Sequence, residues 1–185
     1  MDQRVPLSSG PGVITAERLE QFSGTDLHDL CDAAAAAIDD GGGFGWLVAP
    51  RRDVFERYWS GVVLVPERTL FVGRVDGTIG GAAQLQRPPR NNEAQAHVAT
   101  LTGMFVAPWA RGRGMARAIV LAIEAAAREA GFKVINLDVR ETQVNAIKLY
   151  ETLGYHRWAT HPHYAIVDGR MIAGHYFTKL LSDAP

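Results

Sequence analysis

The chain has 185 residues, 47% of them hydrophobic, and a formal net charge of -1. That size and apolar content suit one domain with a buried core spanning residues 1–185, and the near-neutral charge excludes broad attraction to nucleic acid or an anionic membrane surface. A lone cysteine, Cys31, excludes an internal disulfide, and no Cys/His cluster has zinc spacing, so no metal is implied.

Residues 1–12 are polar and proline-bearing, without an apolar signal core, and read as a loose leader. No stretch approaches the roughly 18 apolar residues of a membrane span, which points to a soluble, cytoplasmic protein. Residues 13–18 suit a first strand. An alanine run over 27–38 predicts a helix capped near Thr25 or Asp26, with Cys31 as a buried structural thiol. The sequence Asp-Asp-Gly-Gly-Gly over 39–43 ends it, and Phe44, Trp46 and Pro50 bring apolar bulk into a loop. Residues 52–61 predict a second helix carrying Phe55, Tyr58 and Trp59, aromatics suited to packing helices on a sheet. Residues 69–75 and 78–85 alternate as strands around Asp76-Gly77, a strong hairpin signal, and Gly80-Gly81 suggests a bulge or a close backbone approach. A polar connection over 87–93 leads on.

The next stretch is the most informative. An apolar, β-favouring strand over 101–106 stops at Pro108, followed by the basic glycine turn Arg111-Gly112-Arg113-Gly114-Met115-Ala116. Apolar residues Met115, Ile119, Ile123 and Ala126 then recur at helical spacing up to Gly131. A second strand, 134–139, precedes a second helix with Ala146, Leu149, Tyr150 and Leu153 on one face. Residues 156–160 predict a strand, 161–170 a loop, and 174–181 a final strand. The fold class is α/β: a mixed sheet with helices on both faces. The first amides of a helix lack intrahelical acceptors and lie at its positive end, so glycines there admit an anion and Arg111 and Arg113 add charge. Such a turn is built to hold phosphate oxygens, or it is an ordinary strand-to-helix connection. It matches neither familiar nucleotide loop.

Arg111-x-x-Gly114-x-Ala116, after Met104-Phe105-Val106-x-Pro108, resembles the acyl-CoA pyrophosphate loop of the GNAT superfamily of N-acetyltransferases. Leu137-Asp138-Val139-Arg140, then Ala146-Ile147 and Leu149-Tyr150-Glu151-x-Leu153-Gly154-Tyr155, is similar to its second signature. The likeness is densest over 97–160, and a tail over 175–180 extends it. The N-terminal half and the tail look most like the tabtoxin-resistance type of small-molecule acetyltransferase.

This resemblance implies a central, mostly antiparallel sheet in which one parallel strand pair splays apart. The pantetheine arm of acetyl-CoA would lie in that gap on backbone groups of Met104, Phe105 and Val106. Its pyrophosphate would sit on the amides of Gly112, Arg113, Gly114, Met115, Ala116 and Arg117, beside Arg111. Tyr150 matches the family tyrosine that protonates the departing thiolate, although its position on an apolar helix face also suits a core residue. Asp138 matches an acidic position that serves as base in some relatives, or is a structural acid within a strand. His97 and then Glu93 are further base candidates, and His161 and His163 sit where they either line the acceptor mouth or stay solvated. Relatives commonly carry an asparagine where this chain has Gln143, which offers the same amide on a longer arm; Asn145 is not its equivalent. Phe44, Trp46 or Trp59 would shape the acceptor pocket. The implied reaction is direct transfer of an acetyl group to a primary amine of a small molecule, with the oxyanion held by a strand N–H near Val106. A protein or peptide N-acetyltransferase and a non-catalytic acyl-CoA-binding module are the competing readings. An exposed C-terminal strand edge leaves a homodimer open.

Overall fold

The structure, a computed structural model, describes residues 12–42 and 44–181. Its elements run β1 (Ile14–Leu19), α1 (Asp26–Asp39), α2 (Arg52–Leu64), β2 (Arg68–Val75), β3 (Thr78–Gln86), β4 (Val98–Val106), α3 (Met115–Glu129), β5 (Val134–Arg140), α4 (Val144–Thr152), β6 (His156–Val167) and β7 (Arg170–Leu180). The strands form a seven-stranded sheet in the order β1-β2-β3-β4-β5-β7-β6. Every neighbouring pair is antiparallel except β4 and β5, which are parallel. This is the mixed, mostly antiparallel sheet that the sequence predicts. Among the described residues no helix is long and apolar enough to cross a membrane.

Period-two alternation along the central strands divides the apolar side chains between two cores. On β2, Leu70 and Val72 join one core while Phe71 joins the other. The first core holds the buried faces of α1 and α2, with Leu30, Ala34, Phe55 and Trp59 against Ile79 and Ala82. The second holds α3 and α4, with Ile119, Ile123 and Tyr150 against Leu85, Ile135 and Phe177. Helices therefore cover both faces, as expected. Cys31 lies inside the first core, and burial pushes its thiol up to about 11, as suits an inert structural residue.

The alternation breaks on β3, where Gly80 is an extra residue between Ile79 and Gly81 as the Gly80-Gly81 pair suggested, and again on β4. Leu101 faces the α3 core, yet Phe105 faces the α1–α2 core. Between them Gln84 pairs with Thr102 while Ala82 pairs with Phe105, so β4 carries an extra residue there. Gly103, at φ +63°, takes the left-handed conformation that this bulge requires. Pairing of β4 with β5 is confined to Val98↔Val134, Ala99↔Ile135 and Thr100↔Asn136 and stops short of the bulge. Beyond that point the two strands diverge.

Several boundaries differ from the sequence reading. The predicted loop over 161–170 is strand through Val167, followed by a tight turn at Asp168 (φ +49°) and Gly169 (φ +73°), and β7 starts at Arg170 rather than 174. The reason is that β6 is exposed along most of its length, so it shows no apolar alternation, and its register shifts between His161 and Ala165, around Pro162. The final strand is no edge: β7 lies between β5 and β6, and the free edges belong to β1 and β6. Strand β4 begins at Val98, and α2 continues to Leu64 because Val62 still packs into the core. Thr25 precedes α1 but its side chain makes no capping bond; its hydroxyl donates to Asp29. The expectation for residues 1–12 falls, Gly12 apart, outside the described residues.

Candidate active site

The glycine turn is shaped as a bare helix N-terminus. Gly112 and Gly114 adopt φ +74° and +79°, and a Cβ at either would meet nothing within 4 Å. No side chain caps α3, and its first intrahelical bond runs from the Ala118 N–H to the Gly114 carbonyl at 3.0 Å. The amides of Met115, Ala116 and Arg117 thus have no intrahelical acceptor. Gly112, Gly114, Met115, Ala116 and Arg117 line a cavity of about 760 Å³, whose opposite wall is formed by Gln143, Asn145 and Ala146 at the start of α4. Met104, Phe105 and Val106 supply its floor. Arg113 is exposed and is not part of that wall. The side chains of Phe105 and Met115 point into the cores, so what they offer the cavity is main chain.

A second cavity, of about 580 Å³, lies on the other side of Tyr150. The two share Gly42, Met104, Gln143, Ala146 and Tyr150 in their walls. Tyr150 is only 3% exposed. Burial, with the charge of Asp138 adding to it, pushes its phenol well above the ordinary range, so the proton stays on the ring oxygen throughout neutral pH.

Asp138 lines this second cavity and accepts a short hydrogen bond from the Tyr164 hydroxyl. Tyr164 is held in place from behind. Its ring lies flat on Gly174, where a Cβ would stand 2.1 Å from the ring, and Tyr176 meets it edge-on at 6.1 Å. Burial, then the bond to Asp138, raises the Tyr164 phenol above its usual range as well. Sequence reasoning missed Tyr164 because it lies in the stretch read as a loop. The Asp168-Gly169 dipeptide, a hairpin signal like Asp76-Gly77, was the available clue.

Between the cavities the end of α1 forms a strap. Asp40 accepts a short bond from Arg111 Nη1, and Arg111 Nε donates to the Val106 carbonyl at 3.0 Å. Gly41 offers its carbonyl to Gln143 Nε2 at 2.9 Å and to Arg140 Nη2 at 3.4 Å. The strap thereby ties the β4 side of the gap to the β5–α4 side. Gln143 and Arg111 face the cavities already engaged with it, and the Val106 carbonyl has a partner within the chain.

The remaining candidates separate. Phe44 lines the second cavity, stacked on Phe105 at 4.9 Å, whereas Trp59 is fully buried in the α1–α2 core. Trp46 packs edge-on against Phe55 and Tyr58 at 5.2 and 4.8 Å. His97 is exposed and lines neither cavity; its carbonyl accepts from Lys133 and Val134. Glu93 borders a separate hollow with Arg87 and Phe132. His161 and His163 are exposed on β6, where the His163 N–H donates to His161 Nδ1 at 3.0 Å, and neither forms a cavity wall.

Comparison with known proteins agrees with this geometry. The Acetyltransferase (GNAT) family matches residues 31–155. The uncharacterized N-acetyltransferase in the hisH-hisA intergenic region of Azospirillum brasilense is 62% identical over 130 residues, which is 70% of this chain and 77% of that protein. Among solved structures, an N-acetyltransferase from Staphylococcus aureus Mu50 shares the fold at TM-score 0.78 and 15% identity, over 92% of this chain and 99% of that one. So does yncA of Salmonella typhimurium, solved with its cofactor acetyl-CoA, at TM-score 0.71 and 16% identity over 92% and 95%. The family match spans both signature segments and the strand pair between them, and the chain belongs to the GNAT family of acetyltransferases.

Proposed function

We propose that the chain moves an acetyl group from acetyl-CoA to the primary amine of a small molecule, directly, with both substrates bound together. One observation carries this reading: the cavity at the α3 N-terminus and the cavity holding Asp138 meet at Tyr150. The residues fit acetyl-CoA as a substrate. Open space at Gly112 and Gly114 and the uncapped amides beyond them would take the diphosphate, with Arg117 adding positive charge beside the Arg111–Asp40 pair. The gap beside Met104, Phe105 and Val106 would take the pantetheine arm as an added strand, with Gln143 facing it.

In the transfer the amine nitrogen bonds to the acyl carbon as the carbon–sulfur bond breaks. The incoming ammonium first loses a proton, for which Asp138 on the cavity wall is the base, directly or through water. Tyr150 gives its proton to the leaving sulfur, and the second proton that the nitrogen sheds as the amide forms returns to the phenolate through water. Burial raises the phenol, and a thiolate at the same place would be just as poorly solvated, so the exchange is no more uphill than in water. Main-chain N–H groups of β4 near Val106 would hold the oxygen that gains charge. A small acceptor is favoured because Phe44 and Leu47 on one side and Tyr164 to Val167 on the other wall in the second cavity.

The test is acetyl-CoA-dependent release of free thiol across amino acids, polyamines, aminoglycosides and peptides, with calorimetric titration of acetyl-CoA beside it. Failure of acetyl-CoA to bind would remove the transferase reading. Transfer to peptides alone would replace the small acceptor with a polypeptide one.

A further inference from the structure

Arg68 opens β2 and lines the second cavity, half-buried. Its Nη1 donates to Gln84 Oε1 at 3.0 Å, and Gln84 Nε2 donates onward to the Tyr58 hydroxyl at 3.0 Å. Gln84 is 1% exposed, an amide on a strand whose other buried residues are apolar, and both its ends are used to fix the guanidinium. The bulge glycine makes room for it: a Cβ at Gly103 would stand 3.1 Å from Gln84 Nε2. Other arginines of the fold meet carboxylates, as Arg52 does Asp32, Arg74 does Asp26 and Arg128 does Glu124. Arg68 forms no ion pair with any described residue. A guanidinium carries five donors in a fork matched to a carboxylate, and the one described bond uses a single donor.

Across the cavity stands Asp138, on β5. The third charged side chain of the wall, Arg140, is engaged with the strap at Gly41. The Arg68 guanidinium sits at Gln84 on β3, and β4 and the opening beyond Asn136 separate it from Asp138 on β5. Opposite charges on facing walls of a cavity this size suit one compact zwitterion. We infer that the acceptor is an amine that also carries a carboxylate, of amino-acid size, with its carboxylate on Arg68 and its amine at Asp138.

This rests on the transferase reading, and a calorimetric titration of acetyl-CoA separates the two. The experiment compares α- and ω-amino acids, each beside its primary amide, as acceptors in the thiol-release assay. At least one free acid should exceed its amide in kcat/KM by about tenfold or more, the scale of one charge-assisted hydrogen bond. Arg68→Gln should remove that preference through the KM for the acid, leaving the amide and the affinity for acetyl-CoA little changed. Arg68→Lys should restore part of it. Equal use of acids and amides, transfer to carboxylate-free amines alone, or an equal loss for both in Arg68→Gln would overturn the inference. Should that variant fail to bind acetyl-CoA, the acid-to-amide ratio of the unaltered protein decides. Lack of acetyl-CoA binding by the unaltered protein would fell the transferase reading and this inference together.

Discussion

The two cavities that meet at Tyr150 are made of different material. The first is walled largely by main chain: a glycine turn in left-handed backbone, the opening of a helix and a stretch of strand released from its neighbour. The second is walled by side chains from separate segments, among them Phe44, Tyr58, Arg68, Gln84, Asp138 and Tyr164. Peptide groups are the same whatever the sequence, so a backbone site suits a partner that stays constant. Side-chain identity is free to change without refolding the sheet, so the other site suits a partner that varies.

Substitutions that separate the cavities test this contrast. The largest expected effect is Gly114→Val, which puts a β-branched side chain at φ +79° on the uncapped helix start. Strain and obstruction together should weaken acetyl-CoA binding about a hundredfold or more by calorimetry, with the circular dichroism spectrum kept. Next is Tyr150→Phe, at the junction. Here kcat should fall by about a hundredfold to ten-thousandfold while the acetyl-CoA Kd stays within a few-fold, since a general acid acts only on the reacting complex. A change confined to KM would make Tyr150 mere wall. Gly174→Ala acts on the acceptor side alone. Its methyl group would enter the Tyr164 ring, displace the hydroxyl from Asp138 and lower kcat/KM for the amine by about tenfold, at a stability cost of about 1–3 kcal/mol. The acetyl-CoA Kd should not move.

The smallest effect at neutral pH is on stability. Tyr150, Tyr155 and Tyr164 all hold their protons more tightly when folded than a free tyrosine does, chiefly because they are buried. The folded state therefore binds more protons than the unfolded chain once the pH passes about 10. Their contribution is fully present below pH 10 and is lost as pH rises toward the folded values. Chemical denaturation should find a stability unaffected by these groups up to pH 9 and falling beyond 10, less steeply in Tyr155→Phe.

The same division explains what the sequence disclosed. The strand, glycine turn, helix, strand and helix from β4 to α4 are contiguous, each with its own period and stop signal, so Gly114 and Tyr150 were readable in place. The acceptor wall has no such continuity. Arg68, Gln84 and Tyr58 join only through strand pairing and a buried hydrogen-bond chain, which no local spacing reports. Tyr164 was hidden because β6 turns most of its side chains to solvent, leaving no apolar rhythm. The splay was legible only by resemblance. Its local cause, the extra residue at Gly103, looks like any strand glycine until the pairing on either side is known.

That bulge leaves the fold with an unfinished seam. Past Thr100 and Asn136 the facing rims of two central strands hold peptide groups that no neighbouring strand answers. Peptide groups in such a place find partners in water or in a guest. A guest that laces the rims together adds its binding energy to the stability of the fold, by an amount set by its concentration relative to its Kd. Were acetyl-CoA that guest, the firmness with which the fold is closed would follow the donor concentration around it.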